Sequence, residues 1–159
     1  MKTFTYLILL TFLLTSCLER PPTTKIDYSS FRASNNKIIK IAIKHIGKPY
    51  RYGATGPNRF DCSGFVYAVF KSIGINIPRT SIAQSRIKGI KLSRSQLREG
   101  DILFFDTSLK GHVNHTGIYL GDDKFIHASS GRAYSVTISS LNGWYRDKFR
   151  WGKRINMNK

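Results

Sequence analysis

Cysteine is scarce in this chain: 159 residues carry only Cys17 and Cys62. Two cysteines cannot build the framework of bridges that staples a small loop-rich scaffold. Acidic residues are scarce too, with 9 Asp plus Glu against 26 Lys plus Arg, for a net charge of +17. That balance excludes an acidic solvating chain and points to an anionic partner, either nucleic acid or the carboxylate-bearing polymers of a cell envelope. No apolar run approaches the roughly 20 residues that a membrane-crossing helix requires. Internal repeats are absent. What is present is 41% hydrophobic and 22% charged residues, the composition of one globular domain rather than a disordered or fibrous chain.

The first residues, MKTFTYLILLTFLLTS, have one early lysine, an apolar run from Tyr6 to Leu14 and small residues before Cys17. This is the pattern of a secretory signal. Leu14-Thr15-Ser16-Cys17 resembles a bacterial lipobox, in which cleavage leaves the cysteine first and acylated; the other reading is an ordinary secretory signal. The expected organisation is a lipoprotein signal peptide over 1–16, a lipid-anchored flexible tether over 17–35 containing Pro21-Pro22, and a folded domain over 36–159. Export places the chain away from nucleic acid. It also leaves Cys62 as a lone thiol exposed to oxidation unless it has a task or is buried.

From Asn36, apolar Ile38, Ile41, Ala42 and Ile46 alternate at helical spacing with Lys37, Lys40, Lys44 and Lys48, and Gly47 with Pro49 ends the helix. A glycine-rich loop then leads to Asp61-Cys62-Ser63-Gly64, and Phe65, Val66, Val69, Phe70 and Ile73 continue as a buried helix to Gly74. Cys62 therefore falls in a helix's first turn, where unpaired N–H groups and the helix dipole favour a thiolate and a lowered pKa. Taken alone it is either a nucleophile or a structural thiol. Gly64 either admits a substrate backbone or permits tight packing. A short helix over Ile82 to Lys88 is expected, with Ser81 and Gln84 spaced as a capping box. Beyond it, Asp101–Phe105, His115–Leu120, Lys124–Ala128, Ser135–Ile138 and Phe149–Trp151 read as short strands. Helices first and an antiparallel sheet second make an α+β fold.

A thiol nucleophile needs a base, and there are four histidines. His45 reads as surface and His112 as a solvated loop residue. His115 and His127 lie on adjacent strands, as plain polar-face residues or as a base and its orienting partner. The intervening turn decides: a two-residue Asp122-Asp123 loop pairs Gly121 with Lys124 and puts the histidines on opposite faces, whereas an odd loop puts them together. The histidines and the single thiol have no convincing zinc spacing, so neither a metal nor another cofactor is expected.

The ordered segments GKPYRYGATGPNRFDCSGFV, IPRTS, REGDILFF, VNHTGIYLG and KFIHASS together resemble the NlpC family of bacterial cell-wall cysteine peptidases, over about Asn36 to Trp151. The resemblance implies a papain-like α+β domain with N-terminal helices on a small antiparallel sheet. It implies Cys62 as nucleophile, His115 as base and His127 as its orienting partner. Tyr50 matches a tyrosine on the oxyanion side, and Asp61 and Ser63 match positions that help bind the substrate's N-terminal end. Ala54 stands where many members carry a second glycine, which requires a negative φ there. The implied reaction is hydrolysis of an amide in peptidoglycan stem peptides, typically between γ-D-glutamate and a diamino acid, by a monomer held through lipid on Cys17. The expected place is the periplasmic face of the outer membrane in a Gram-negative cell, and otherwise the outer face of the cell membrane. A wall-binding lipoprotein without activity and an amidase or acyltransferase on the same fold are the alternatives.

Overall fold

The computed structural model describes residues 28–156. Cys17, the signal segment and the start of the tether lie outside the described residues. Four helices precede five strands: α1 Ser29–Ala33, α2 Lys37–Ile43, α3 Cys62–Lys71, α4 Ser81–Ser85, then β1 Ile102–Phe105, β2 His115–Gly121, β3 Lys124–Ala128, β4 Val136–Ser140 and β5 Phe149–Lys153. The last stretch of the expected tether is corrected. Residues Ser29–Ala33 are helical, and Phe31 is buried in the main core against α2.

Asn36 caps α2 by accepting from the Ile38 N–H at 2.9 Å, and Gly47 at φ 81 leads the chain away from the turns that follow the helix. The buried stripe is Ile38, Ile39, Ala42 and Ile43, rotated from the expected one, so Ile41 and Ile46 are only half-buried. In α3, Phe65, Val66, Val69 and Phe70 are buried against β2 and β3. The expected capping box at Ser81 is corrected as well. Thr80 caps α4 by accepting from the Ala83 N–H, while Gln84 is wholly buried and donates to the carbonyls of Ser63 and Pro78. Gln84 thus fastens α4 to the first turn of α3 instead of capping its own helix.

The sheet runs β4-β3-β2-β1-β5, every pair antiparallel. Its even-numbered residues Ile102, Phe104, Ile118, Leu120 and Ile126 join the helices in the main core, while Leu103, Phe105, Tyr119 and Phe125 form a second cluster with Leu141. The side chain of His115 belongs to this second face, whose residues alternate with those of the first.

The β2–β3 hairpin departs from both expected geometries. Its turn is the two-residue Asp122-Asp123, both residues left-handed at φ 48 and 55, and Gly121 does pair with Lys124. A register shift between Tyr119 and Gly121 then pairs Tyr119 with Phe125. This bulge, with Gly121 at φ 94, adds the residue that restores parity. Both histidines consequently face the same side despite the even turn.

Candidate active site

Asp61 makes the first turn of α3 possible. It is the N-cap, and its carboxylate accepts from the Gly64 N–H at 2.6 Å and from the Gly53 N–H at 2.8 Å. Arg79, reaching in from the segment before α4, completes the carboxylate's partners at 2.6 and 3.0 Å and also donates to the Ser63 hydroxyl at 3.0 Å. Asp61 and Ser63 are thus already engaged inside the protein, and Arg79 is a partner that no sequence spacing indicated. Gly64 is explained by packing. A Cβ there would stand 2.1 Å from the Ala54 carbonyl oxygen, so the loop that carries Ala54, not a substrate, occupies that space. Ala54 itself avoids positive φ, as its side chain requires.

Cys62 is the first residue of α3 and is only partly exposed. The expected lowering of its pKa is corrected: burial pushes the thiol up, with the Asp61 carboxylate adding to the rise. Backbone N–H groups of Ser63, Thr116 and Cys62 itself pull the other way. The Thr116 contribution sets the sulfur beside the peptide that joins His115 to Thr116, where the start of α3 lies against the start of β2. Tyr50 lines the same cleft as Cys62, is pushed up to about 12 by burial and by the neighbouring sulfur, and tilts its ring against Tyr134 at 5.5 Å.

His115 Nε2 lies 2.8 Å from His127 Nδ1, and His127 Nε2 lies 2.9 Å from the Ser139 hydroxyl. This arrangement leaves His115 Nδ1 as the ring nitrogen for a thiol proton. Burial alone lowers His115 to about 4, and burial followed by the charge of His115 takes His127 well below its ordinary value. At neutral pH both imidazoles are uncharged. Tyr145 closes over the pair, stacked on the His115 ring at 6.0 Å and edge-on to His127 at 5.3 Å. Burial raises its phenol to about 12. Ser139 and Tyr145 are the site residues that the sequence did not reveal; each is a single polar residue without a local pattern, brought in by strand pairing and by the turn after β4.

Of the other two histidines, His45 departs from expectation. His45 is half-buried, its ring 4.8 Å from Phe60 with Nδ1 unpartnered, and burial plus nearby Lys48 and Lys44 lower its pKa. His112 is exposed, as expected of a loop histidine, yet it lines the cleft of Cys62. That cleft holds about 540 Å³; a second, of about 1020 Å³, contains His115, Arg132, Ser139, Trp144 and Tyr145. A thiol at a helix start, a neutral imidazole on the strand beside it and a second imidazole holding the first are the groups that acyl transfer by a cysteine uses.

The NlpC/P60 family pattern matches residues 47–155. The murein DD-endopeptidase MepH of Escherichia coli K12 is 37% identical over 72% of this chain and 45% of its own length. The gamma-D-glutamyl-L-lysine dipeptidyl-peptidase of Bacillus cereus is 36% identical over 74% of this chain and 37% of its own. Among solved structures, the NlpC/p60 domain of the peptidoglycan hydrolase SagA aligns with a TM-score of 0.65 at 33% identity, over 75% of this chain and 97% of that one. The chain therefore spans less than half of these two full-length relatives but nearly all of a solved family domain. With its α+β architecture and its matched span of more than a hundred residues, the chain belongs to the NlpC/P60 family.

Proposed function

We propose that the protein is a lipid-anchored peptidoglycan endopeptidase that hydrolyses stem peptides between γ-D-glutamate and a diamino acid, with Cys62 as nucleophile, His115 as base and His127 as the residue that orients it. The observation that carries this reading is the 2.8 Å bond between His115 Nε2 and His127 Nδ1, together with a cysteine at a helix start whose sulfur meets the N–H of Thr116, the residue next to His115. Relatives named as murein and γ-D-glutamyl peptidases support the substrate class.

The resting site is a neutral thiol beside a neutral imidazole. As the sulfur attacks the amide carbonyl, the Sγ proton passes to His115 Nδ1 and an S–C bond forms. The imidazolium keeps its Nε2–H directed at His127 Nδ1, which stays an acceptor because the Ser139 hydroxyl takes the His127 Nε2–H. The Cys62 N–H and the protonated Tyr50 hydroxyl stabilise the oxyanion. Collapse breaks the C–N bond, and His115 returns its proton to the leaving amine. Water, deprotonated by His115, then cleaves the thioester and restores the thiol.

Anchoring would come from acylation of Cys17, at the outer membrane of a Gram-negative cell or the cell membrane otherwise. Radiolabelled palmitate incorporated by the native protein and not by Cys17→Ser supports this; labelling of both contradicts it. The activity is tested by incubating the protein with purified muropeptides and analysing the products by mass spectrometry beside Cys62→Ala. Fragments with a free diamino acid N-terminus, absent with the variant, are expected. Retention of uncut stem peptides would identify a binding lipoprotein, and a different new terminus would reassign the bond.

A further inference from the structure

His115 and Cys62 open onto different clefts. The sulfur lines the smaller one with Tyr50, Asp61 and Ser63, whereas the histidine lines the larger one with Arg132, Trp144 and Tyr145. A thioester leaves the acyl half of the substrate on the sulfur, and the group that protonates the departing amine stands beside that amine. The residue bearing the amine consequently lies in the larger cleft.

The charge of this cleft is one-sided. No Asp or Glu lines it, and Arg132, exposed on the loop between β3 and β4, has no carboxylate partner among the described residues. The arginine of the smaller cleft differs: Arg79 is tied to Asp61 at 2.6 Å. Hydroxyls of Ser129, Ser130 and Thr137 supply further donors in the larger cleft. At its rim Trp144 is 60% exposed, edge-on to Tyr145, with the Lys148 ammonium, itself paired with Asp147 at 3.0 Å, 4.2 Å from its ring centre. An unpaired guanidinium and hydroxyl donors form a receptor for a carboxylate, and the exposed indole offers a face to the aliphatic part of the residue that bears it.

We propose that this cleft is the leaving-group subsite and that Arg132 selects substrates whose leaving residue bears a free carboxylate beside the scissile amine. The inference rests on the endopeptidase reading and adds the feature by which the substrate is chosen. An α-amino acid that ends the stem just after a γ-glutamyl bond carries such a carboxylate on the carbon that bears the scissile amine. A diamino acid with a carboxylate at its second amine-bearing carbon carries it in the same relation. One guanidinium thus serves either bond.

Two peptides that share the scissile bond test it: L-Ala-γ-D-Glu-L-Lys and the same peptide ending in a carboxamide. The native protein is expected to favour the acid by about tenfold in kcat/KM, the size of one charge-assisted hydrogen bond. Arg132→Gln brings that preference close to one, and Arg132→Lys keeps part of it. Because the readout is a ratio within one variant, a loss of folded protein does not imitate the result. Equal cleavage of both peptides by the native protein, or an unchanged preference in Arg132→Gln, overturns the role of Arg132 and leaves the endopeptidase reading standing. If the native protein cuts neither peptide and no muropeptide, the endopeptidase reading falls and this inference falls with it.

Discussion

Burial is the one influence that moves His115, and it takes the imidazole down to about 4. In an unfolded chain the same group binds a proton near 6.5, so between those values the unfolded state holds more protons and acid favours it. His115 therefore adds stability above about pH 6.5 that drains away as pH falls toward 4, and His127, shifted in the same direction, adds to the loss. Urea unfolding is expected to show about 1.4 kcal/mol lost through His115 by about pH 5.5 relative to pH 8, and a smaller total loss in His127→Asn. The shield over these rings is Tyr145. Its replacement by alanine admits water, moves His115 back toward 6.5 and shifts the acid limb of the kcat/KM profile upward, while Tyr145→Phe leaves the limb in place; an unmoved limb in Tyr145→Ala would remove the shield. Cys62, His115 and His127 were legible in the sequence because each sits within a recognisable segment. Tyr145, Ser139 and Arg79 were not, since their approach to the site depends on tertiary contacts far apart in the chain.

The order of elements was legible from period and punctuation: the stripe of α3 and the Gly, Asp and Asn turns between strands mark all five strands to within about two residues of where they lie. The hairpin parity was not. An even turn was visible in Asp122-Asp123, but the bulge beside it arises from backbone pairing and leaves only Gly121 as a trace. Two glycines show how closely the elements hold the proposed catalytic groups. A Cβ on Gly117 would stand 2.8 Å from the Phe125 ring and 3.1 Å from His127 Cβ, and one on Gly64 would strike the Ala54 carbonyl. Gly64→Ala is expected to cost about 2 kcal/mol or more, because rigid backbone rather than a mobile side chain must give way. Gly117→Ala displaces β3 and its histidine, lowering kcat more than it lowers the thermal midpoint. Equal activity with either alanine, measured beside unfolding curves, would contradict this packing. At the other end of the domain, Phe31 shows why the tether boundary was misplaced: one aromatic side chain in a polar segment docks a five-residue helix that has no apolar period of its own.

Across the whole molecule, the charge of +17 has a measurable consequence. From about 0.01 to about 1 M salt, the screening length falls from about 30 to about 3 Å, so capture of carboxylate-bearing stem peptides is expected to weaken through KM with kcat little changed. A salt-independent KM would reduce the basic surface to a solubility device. The family is shared with proteins named for different bonds, a DD-endopeptidase and a γ-D-glutamyl-L-lysine peptidase; on the proposal made for this chain, the unit of thiol and paired imidazoles does the chemistry and the two clefts beside it set the bond. The most direct test of that unit is intact-protein mass spectrometry of acid-quenched turnover on L-Ala-γ-D-Glu-L-Lys, run beside Cys62→Ala. The account predicts an adduct with the mass of the acyl half on the native protein, located at Cys62 and absent from the variant along with all cleavage. Peptide cut at an undiminished rate by Cys62→Ala would contradict it.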